Sequence, residues 1–132
     1  MVTRKSPGGS IFPYGYKGGE LLGLHFGSFH SDEERLLTLM EAEEGFIAGL
    51  HRHFPLWIDF YETKLTDEVL TRFLQSMSRL QNVITKLAIV GCSRRDQNRM
   101  TRLSKKLNIQ LSVPLRFFED PEVAKTWLVS EA

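Results

Sequence analysis

The sequence predicts an α/β fold: an N-terminal β-hairpin, then alternating αβαβαβα elements that pack a mixed, mostly parallel sheet with helices. Three observations carry the prediction. Four segments have helical period. Short apolar runs (LWIDFYE, KLAIVGC, VPLRFF) lie between them, and alternation of this kind implies parallel strands joined by crossovers. Ahead of all of these, IFPYGY and LLGLHF flank KGGE, whose two glycines supply the positive φ that a tight hairpin turn needs.

In the hairpin, Leu22, Leu24 and Phe26 alternate onto one face, and Pro13 suits an edge position because it has no N–H for the ladder. The first helix is expected in SDEERLLTLMEAEEGFIAGLHRH. Leu36, Leu39, Met40, Phe46, Ile47 and Leu50 form its apolar stripe, interrupted by Glu43. Ser31 and Glu34 have capping-box spacing, and Pro55 ends the segment. Gly45 and Gly49 share a face, which predicts close packing there. The second helix follows Thr66 as N-cap, with Leu70, Phe73, Leu74, Met77 and Leu80 inward. KLAIVGC is apolar on both faces, as a central strand covered on each side must be. The third helix starts after Ser93, shows Met100, Leu103 and Leu107, and ends at Asn108, a residue that tolerates the left-handed conformation. The last has Asp120 as N-cap and Pro121 in its first turn.

A chain of 132 residues fits one domain and can bury a core without metals or disulfides. Residues 1–10, small and glycine-rich, read as a flexible arm, and residues 11–132 as one α/β domain. A formal net charge of +1 argues against nucleic acid as a partner. No apolar run reaches membrane-spanning length, and no apolar h-region follows Arg4 and Lys5, so neither membrane insertion nor secretion is expected. Cys92 is the only cysteine, which suits a reducing compartment and hence the cytoplasm.

The stretch TKLAIVGCSRRDQNRMTRLSKKLNI draws the eye for chemistry. It lacks the G-x-G-x-x-G of a dinucleotide site and the paired glycines and Lys-Ser/Thr of a phosphate-cradling loop. Gly91 therefore reads as a tight strand-to-helix corner and Ser93 as a helix cap. Ser93, Arg94 and Arg95 with the first helical N–H groups form the candidate anion site. Asp59 lies in phase with Trp57 inside an apolar strand and has no second carboxylate at catalytic spacing, so it reads as structural. His51 and His53 are placed at a helix C-terminus, where i, i+2 spacing points them apart, so no metal site is expected. No catalytic residues and no cofactor are assigned.

The order of hairpin, acidic helix, WIDF, helix, KLAIVG, polar-capped helix and FFEDPEVAKTWL resembles the STAS superfamily, which includes bacterial anti-sigma-factor antagonists and STAS/SEC14-like domains. The resemblance runs from about Glu20 to Leu128. It implies a non-enzymatic, cytoplasmic regulatory domain in bacterial signalling, binding a regulatory protein partner or a small ligand, with homodimerisation left open. Partner-switching members carry a phosphorylated serine after an aspartate at the start of the helix that follows the IDF-like strand. The matching stretch here, DFYETKLTDEVL, has no Asp-Ser pair, and Thr63 and Thr66 are its only hydroxyl side chains apart from Tyr61. They are the candidate phospho-acceptors. The alternative is a small phosphate- or carboxylate-binding enzyme, or a phosphoryl acceptor, using Asp59 and the Gly91–Arg95 corner.

Overall fold

A computed structural model describes residues 3–130. Along the chain run β1 (Arg4–Lys5), β2 (Ile11–Phe12), β3 (Tyr14–Tyr16), β4 (Gly19–His25), α1 (Glu33–Ala48), β5 (Phe54–Asp59), α2 (Asp67–Leu80), β6 (Ile84–Val90), α3 (Arg94–Lys106), β7 (Leu115–Phe118) and α4 (Pro121–Leu128). β3 to β7 form one five-stranded sheet in chain order. β3 is antiparallel to β4, and the remaining neighbours are parallel. The fold is the mixed α/β architecture that the residue patterns predict.

Strand order equal to chain order has a consequence for the helices. Each crossover steps one strand in the same direction, and crossovers of one hand then deposit their helices on one face. Leu22, Leu24, Phe26, Leu56, Ile58, Leu87 and Ile89 meet α1, α2 and α3 on that face, in the larger core. α4 follows the last strand and crosses to nothing, so it is free to cover the other face. There Ala124 and Leu128 pack on Leu21, Trp57, Ala88 and Val90. Neighbouring residues of β4, β5 and β6 thus divide between two cores, the period-2 alternation of strands. No described helix is long and apolar enough to cross a membrane.

The local chemistry of the elements follows the residues closely. The β3–β4 turn has Lys17 and Gly18 at φ 46° and 84°, so the positive φ falls on this pair while Gly19 already pairs with Tyr16. Thr66, Ser93 and Asp120 accept hydrogen bonds from the first-turn N–H groups of α2, α3 and α4. Asn108 adopts φ 55° just past α3. α1 departs from expectation at its start. Asp32, not Ser31, is its N-cap and accepts from the Arg35 N–H at 3.3 Å. No capping box forms, and Glu33 of the first turn accepts from the Thr66 hydroxyl and ties the starts of α1 and α2 together.

Two further corrections concern the end of α1. The helix stops at Ala48, so Gly49 is its C-cap and His51 and His53 are exposed in the loop beyond. No atom lies within 4 Å of the missing Gly45 Cβ, so no close packing occurs there. Gly45 lines an open groove that Arg79 spans by a bidentate bond to Glu44, at 2.6 and 2.8 Å. That partly exposed pair is worth about 1 kcal/mol at most. The two helices are held by Leu36, Met40, Ile47, Leu70, Phe73, Leu74 and Met77 in the shared core.

Of the segment read as an arm, residues 1 and 2 lie outside the described residues. Arg4–Lys5 pairs with Ile11–Phe12, and Ser6 and Ser10 between them are buried. What receives this hairpin is Glu43, the polar interruption in the α1 stripe, which is 0% exposed. The Ser6 hydroxyl donates to Glu43 Oε2 at 3.1 Å, the Gly8 N–H also bonds the carboxyl, and Oε1 has no partner among the described residues. Burial raises the Glu43 pKa above its ordinary 4.5, against the lowering by Ser6 and Gly8.

The sign of the linkage follows. The folded state holds the Glu43 proton more tightly than the unfolded chain, so this group favours folding fully below pH 4.5 and loses that contribution as pH rises through its folded pKa. Glu43→Gln, neutral at every pH, is expected to be more stable than the parent at pH 7, with the difference vanishing below about pH 4. Urea titrations of both proteins from pH 3.5 to 7.5 check this. A constant difference over that range would contradict it.

Candidate functional site

The carboxyl ends of β4, β5, β6 and β7 point to one edge of the sheet, where open α/β sheets place their ligands. In this chain the edge is closed by backbone pairing. Phe26 N–H donates to Asp59 O at 2.8 Å, Ser28 to Tyr61 O at 2.7 Å, His30 to Glu62 O at 2.9 Å, and Lys64 to His30 O at 2.7 Å. The β4–β5 ladder thereby continues into the loops that precede α1 and α2. Asp59 is half-buried and accepts the Tyr61 N–H at 2.8 Å, the structural role that its setting in the sequence suggests.

Both candidate phospho-acceptors are engaged by the fold, Thr63 within this zipper and Thr66 at the start of α2. Thr63 Oγ1 donates to Phe26 O at 2.7 Å and accepts the Phe29 N–H at 3.2 Å. Thr66 Oγ1 donates to Glu33 and accepts the Val69 N–H at 3.2 Å. Each hydroxyl thus uses its single proton within the fold. A phosphate on Thr66 would also face Glu33 and the acidic first turn of α2, Asp67 and Glu68. We expect no substantial phosphorylated population at Thr63 or Thr66 in cells. Intact-mass spectrometry with site mapping checks this.

The Gly91–Arg95 corner is built by close approach. Gly91 has φ 87°, and a Cβ on it would lie 2.5 Å from Tyr61 N and 2.7 Å from Phe60 C. Only glycine lets β6 turn into α3 against the β5 loop. Cys92 is partly buried, and desolvation, with Asp96 adding, pushes its thiol up to about 12, the opposite of an activated nucleophile. Ser93 accepts the Asp96 N–H at 3.1 Å. Arg94 and Arg95 are exposed and make no ion pair or hydrogen bond with the described residues.

Two residues at this edge had no expected role. Arg99 turns out to be a clamp: it donates to Leu65 O at 2.6 Å, to Asp67 at 2.6 Å and to Asp96 at 3.3 Å, and so locks α3 to the start of α2. Arg99 lowers the pKa of the Asp67 carboxyl. Tyr61 donates to Glu119 O and bridges to the loop before α4. Partial burial raises the pKa of its phenol, with Asp59, Asp120 and Glu119 adding to the shift. No cluster of His, Cys, Asp and Glu among the described residues could hold a metal.

The sheet is less fully covered on its other face. α4 packs over β5, β6 and β7, and beside it, toward β3 and β4, lies a hollow of about 270 Å³. Gly9, Ser10 and Ile11 wall it on one side, with the Ser10 hydroxyl bonded to Gly23 O on the open edge of β4. Tyr14, Leu21, His25, Trp57 and Lys125 complete the lining. Trp57 lies against β4 because its neighbour is Gly23, where a Cβ would come within 2.8 Å of the indole. The His25 ring meets Trp57 edge-on with centroids 5.3 Å apart. No single stretch of sequence signals this hollow, since its walls come from four separate segments.

The corner generates a graded expectation. Gly91→Ala should destabilise by roughly 3 kcal/mol, from a left-handed φ and a backbone clash together. Ser93→Ala should cost about 1 kcal/mol through the lost cap. Arg94→Ala with Arg95→Ala should stay within about 0.5 kcal/mol. Denaturant melts of the three variants check the order, and an arginine pair as costly as Ser93 would reverse the reading of this corner.

No family model matches the chain, and no curated protein or solved structure is significantly similar to it.

Proposed function

We propose that the chain is a non-catalytic, STAS-like regulatory domain of bacterial signalling that acts in the cytoplasm by binding a small ligand or a regulatory protein. The observation that carries this reading is how the polar groups are used. At the carboxyl edge, Asp59, Thr63, Thr66 and Ser93 are engaged in bonds that hold the fold, and Cys92 is kept protonated. A nucleophile without a base and a carboxylate already facing a backbone N–H favour a scaffold over a reaction centre. A hollow with apolar walls and a few convergent polar groups lies instead on the sheet face that α4 leaves partly open.

The strict succession of hairpin and parallel strands, with three helices on one face and the terminal helix on the other, supports the STAS-like reading. The lone cysteine supports a reducing compartment. Binding without chemistry is the expected behaviour. A thermal-shift screen over small anions, nucleotides and aromatic metabolites should give at least one saturable stabilisation, of about 2.7 kcal/mol at a hundredfold the dissociation constant. A parallel hydrolase and transferase panel should show no turnover. Turnover that Asp59→Asn abolishes without unfolding the protein would overturn the proposal.

A further inference from the structure

The geometry points to the ligand class: the hollow between α4 and the β3–β4 edge takes a small aromatic monocarboxylate, its ring against Trp57 and Tyr14 and its carboxylate on the Lys125 ammonium. The inference rests on the reading of the chain as a binding domain and specifies what it binds.

Lys125 is the centre of the argument. Its Nζ lies 5.0 Å from the Trp57 ring, 5.5 Å from Tyr14 and 5.9 Å from Tyr16. Aromatic faces attract an ammonium but accept none of its three protons in a full hydrogen bond. The Lys125 ammonium has no hydrogen bond or salt bridge to any described residue, and no acidic side chain lines the hollow. The other partly buried cations have oxygen partners: Arg52 bonds Glu20, Arg99 bonds Asp67, and Lys86 donates to the Trp127 and Ser130 carbonyls. A half-buried cation held by rings and lacking an anion is complete when the ligand brings one.

The walls select the rest of the molecule. Trp57, Tyr14 and His25 offer ring faces and edges, and Leu21 adds apolar surface. The absence of a side chain at Gly23 leaves the indole flat along the sheet. Trp57 is 6% exposed, and its buried Nε1–H, on the ring that lines the hollow, has no acceptor among the described residues. At about 270 Å³ the space sits at the lower limit of ligand pockets, roughly 300 Å³, which suits one or two rings. One ammonium, with His25 as the only other basic group in the lining, matches one negative charge better than a phosphate dianion.

The test uses the full chain and three probes: 1-naphthoate, its neutral isostere 1-naphthamide, and cyclohexanecarboxylate. The chain has two tryptophans, so Trp127→Phe assigns the Trp57 indole N–H resonance in a proton–nitrogen spectrum. 1-Naphthoate should shift that resonance saturably, and the other two probes should bind about tenfold more weakly or worse by calorimetry, each lacking one half of the recognition. Lys125→Met should weaken naphthoate about tenfold, while Arg94→Ala with Arg95→Ala should leave it unchanged. Tyr14→Ser, at an exposed rim position, gives a second variant that should weaken naphthoate more than cyclohexanecarboxylate. Equal binding of amide and acid, or unaltered affinity in folded Lys125→Met, would overturn the aromatic-carboxylate assignment and leave a binding domain of another specificity. A Trp57 resonance that none of the probes moves would overturn the assignment as well, and the ligand screen above then decides the broader reading separately.

Discussion

Strand β5 is the constraint on which the rest of the molecule depends. It is the middle strand, hydrogen-bonded to β4 on one side and β6 on the other. Its side chains alternate Leu56 and Ile58 into one core with Trp57 and Asp59 toward the other face. A one-residue slip of its register would drive Asp59 into the dry core beneath α1 and α2 and expose two residues that are now 0% accessible. The pairing continues past Asp59 into the loop, so the same strand that organises both cores also sets the backbone at the carboxyl edge. Gly91 then brings β6 and α3 against that backbone, within 2.5 Å of where a side chain would begin.

The hollow follows from coverage. Strands lie about 4.8 Å apart and a helix is about 10 Å across, so one helix covers two to three strands. Three crossover helices cover the first face completely, because each parallel connection supplies one. The second face receives only α4, eight residues long, and the stretch from Gly9 to Ile11. The sheet is five strands wide, so a gap remains beside α4, where aromatic side chains of β3 and β5 line the floor. Gly19 allows the end of α4 to come close, since a Cβ there would meet Val129 at 2.8 Å, and Tyr16 reaches Glu122 at 2.6 Å. Those contacts fix the helix that carries Lys125.

Polar groups divide between the two ends of this design. At the carboxyl edge, donors and acceptors answer one another: Thr63 with Phe26 and Phe29, Thr66 with Glu33 and Val69, Arg99 with Leu65, Asp67 and Asp96. A strand edge saturated in this way is a rigid frame. Away from this edge, groups without a bonded partner among the described residues include the Trp57 indole N–H, one oxygen of Glu43 and the ammonium of Lys125. Buried or half-buried polar atoms without partners cost free energy, and they cluster where a fold meets something outside itself or stores a switch. Glu43 holds the Ser6–Gly8 segment, whose next residues wall the hollow, so the β1–β2 hairpin physically joins two of these sites.

What the sequence by itself determined is everything that local chemistry decides. The helical stripes of α2, the caps Thr66, Ser93 and Asp120, the reversal at Asn108 and the two-faced apolar run of β6 depend on neighbours within a few residues, and all were legible. Asp59 as a backbone acceptor and Gly91 as a corner could also be read, because each has its cause in adjacent positions or in turn geometry. Where two adjacent residues could both cap, reading was less secure: Asp32, not Ser31, caps α1, and the bond from Thr66 to Glu33, thirty-three positions away, joins elements that no local pattern connects. Only the tertiary structure decided that Arg99 is a clamp, that Glu43 is fully buried under the β1–β2 hairpin, and that Lys125 stands among three rings without a counter-ion. The reason is the same in each case. A charge is placed in solvent or in the interior by the elements that close over it, and those elements are brought together by strand order, which no short stretch of sequence contains.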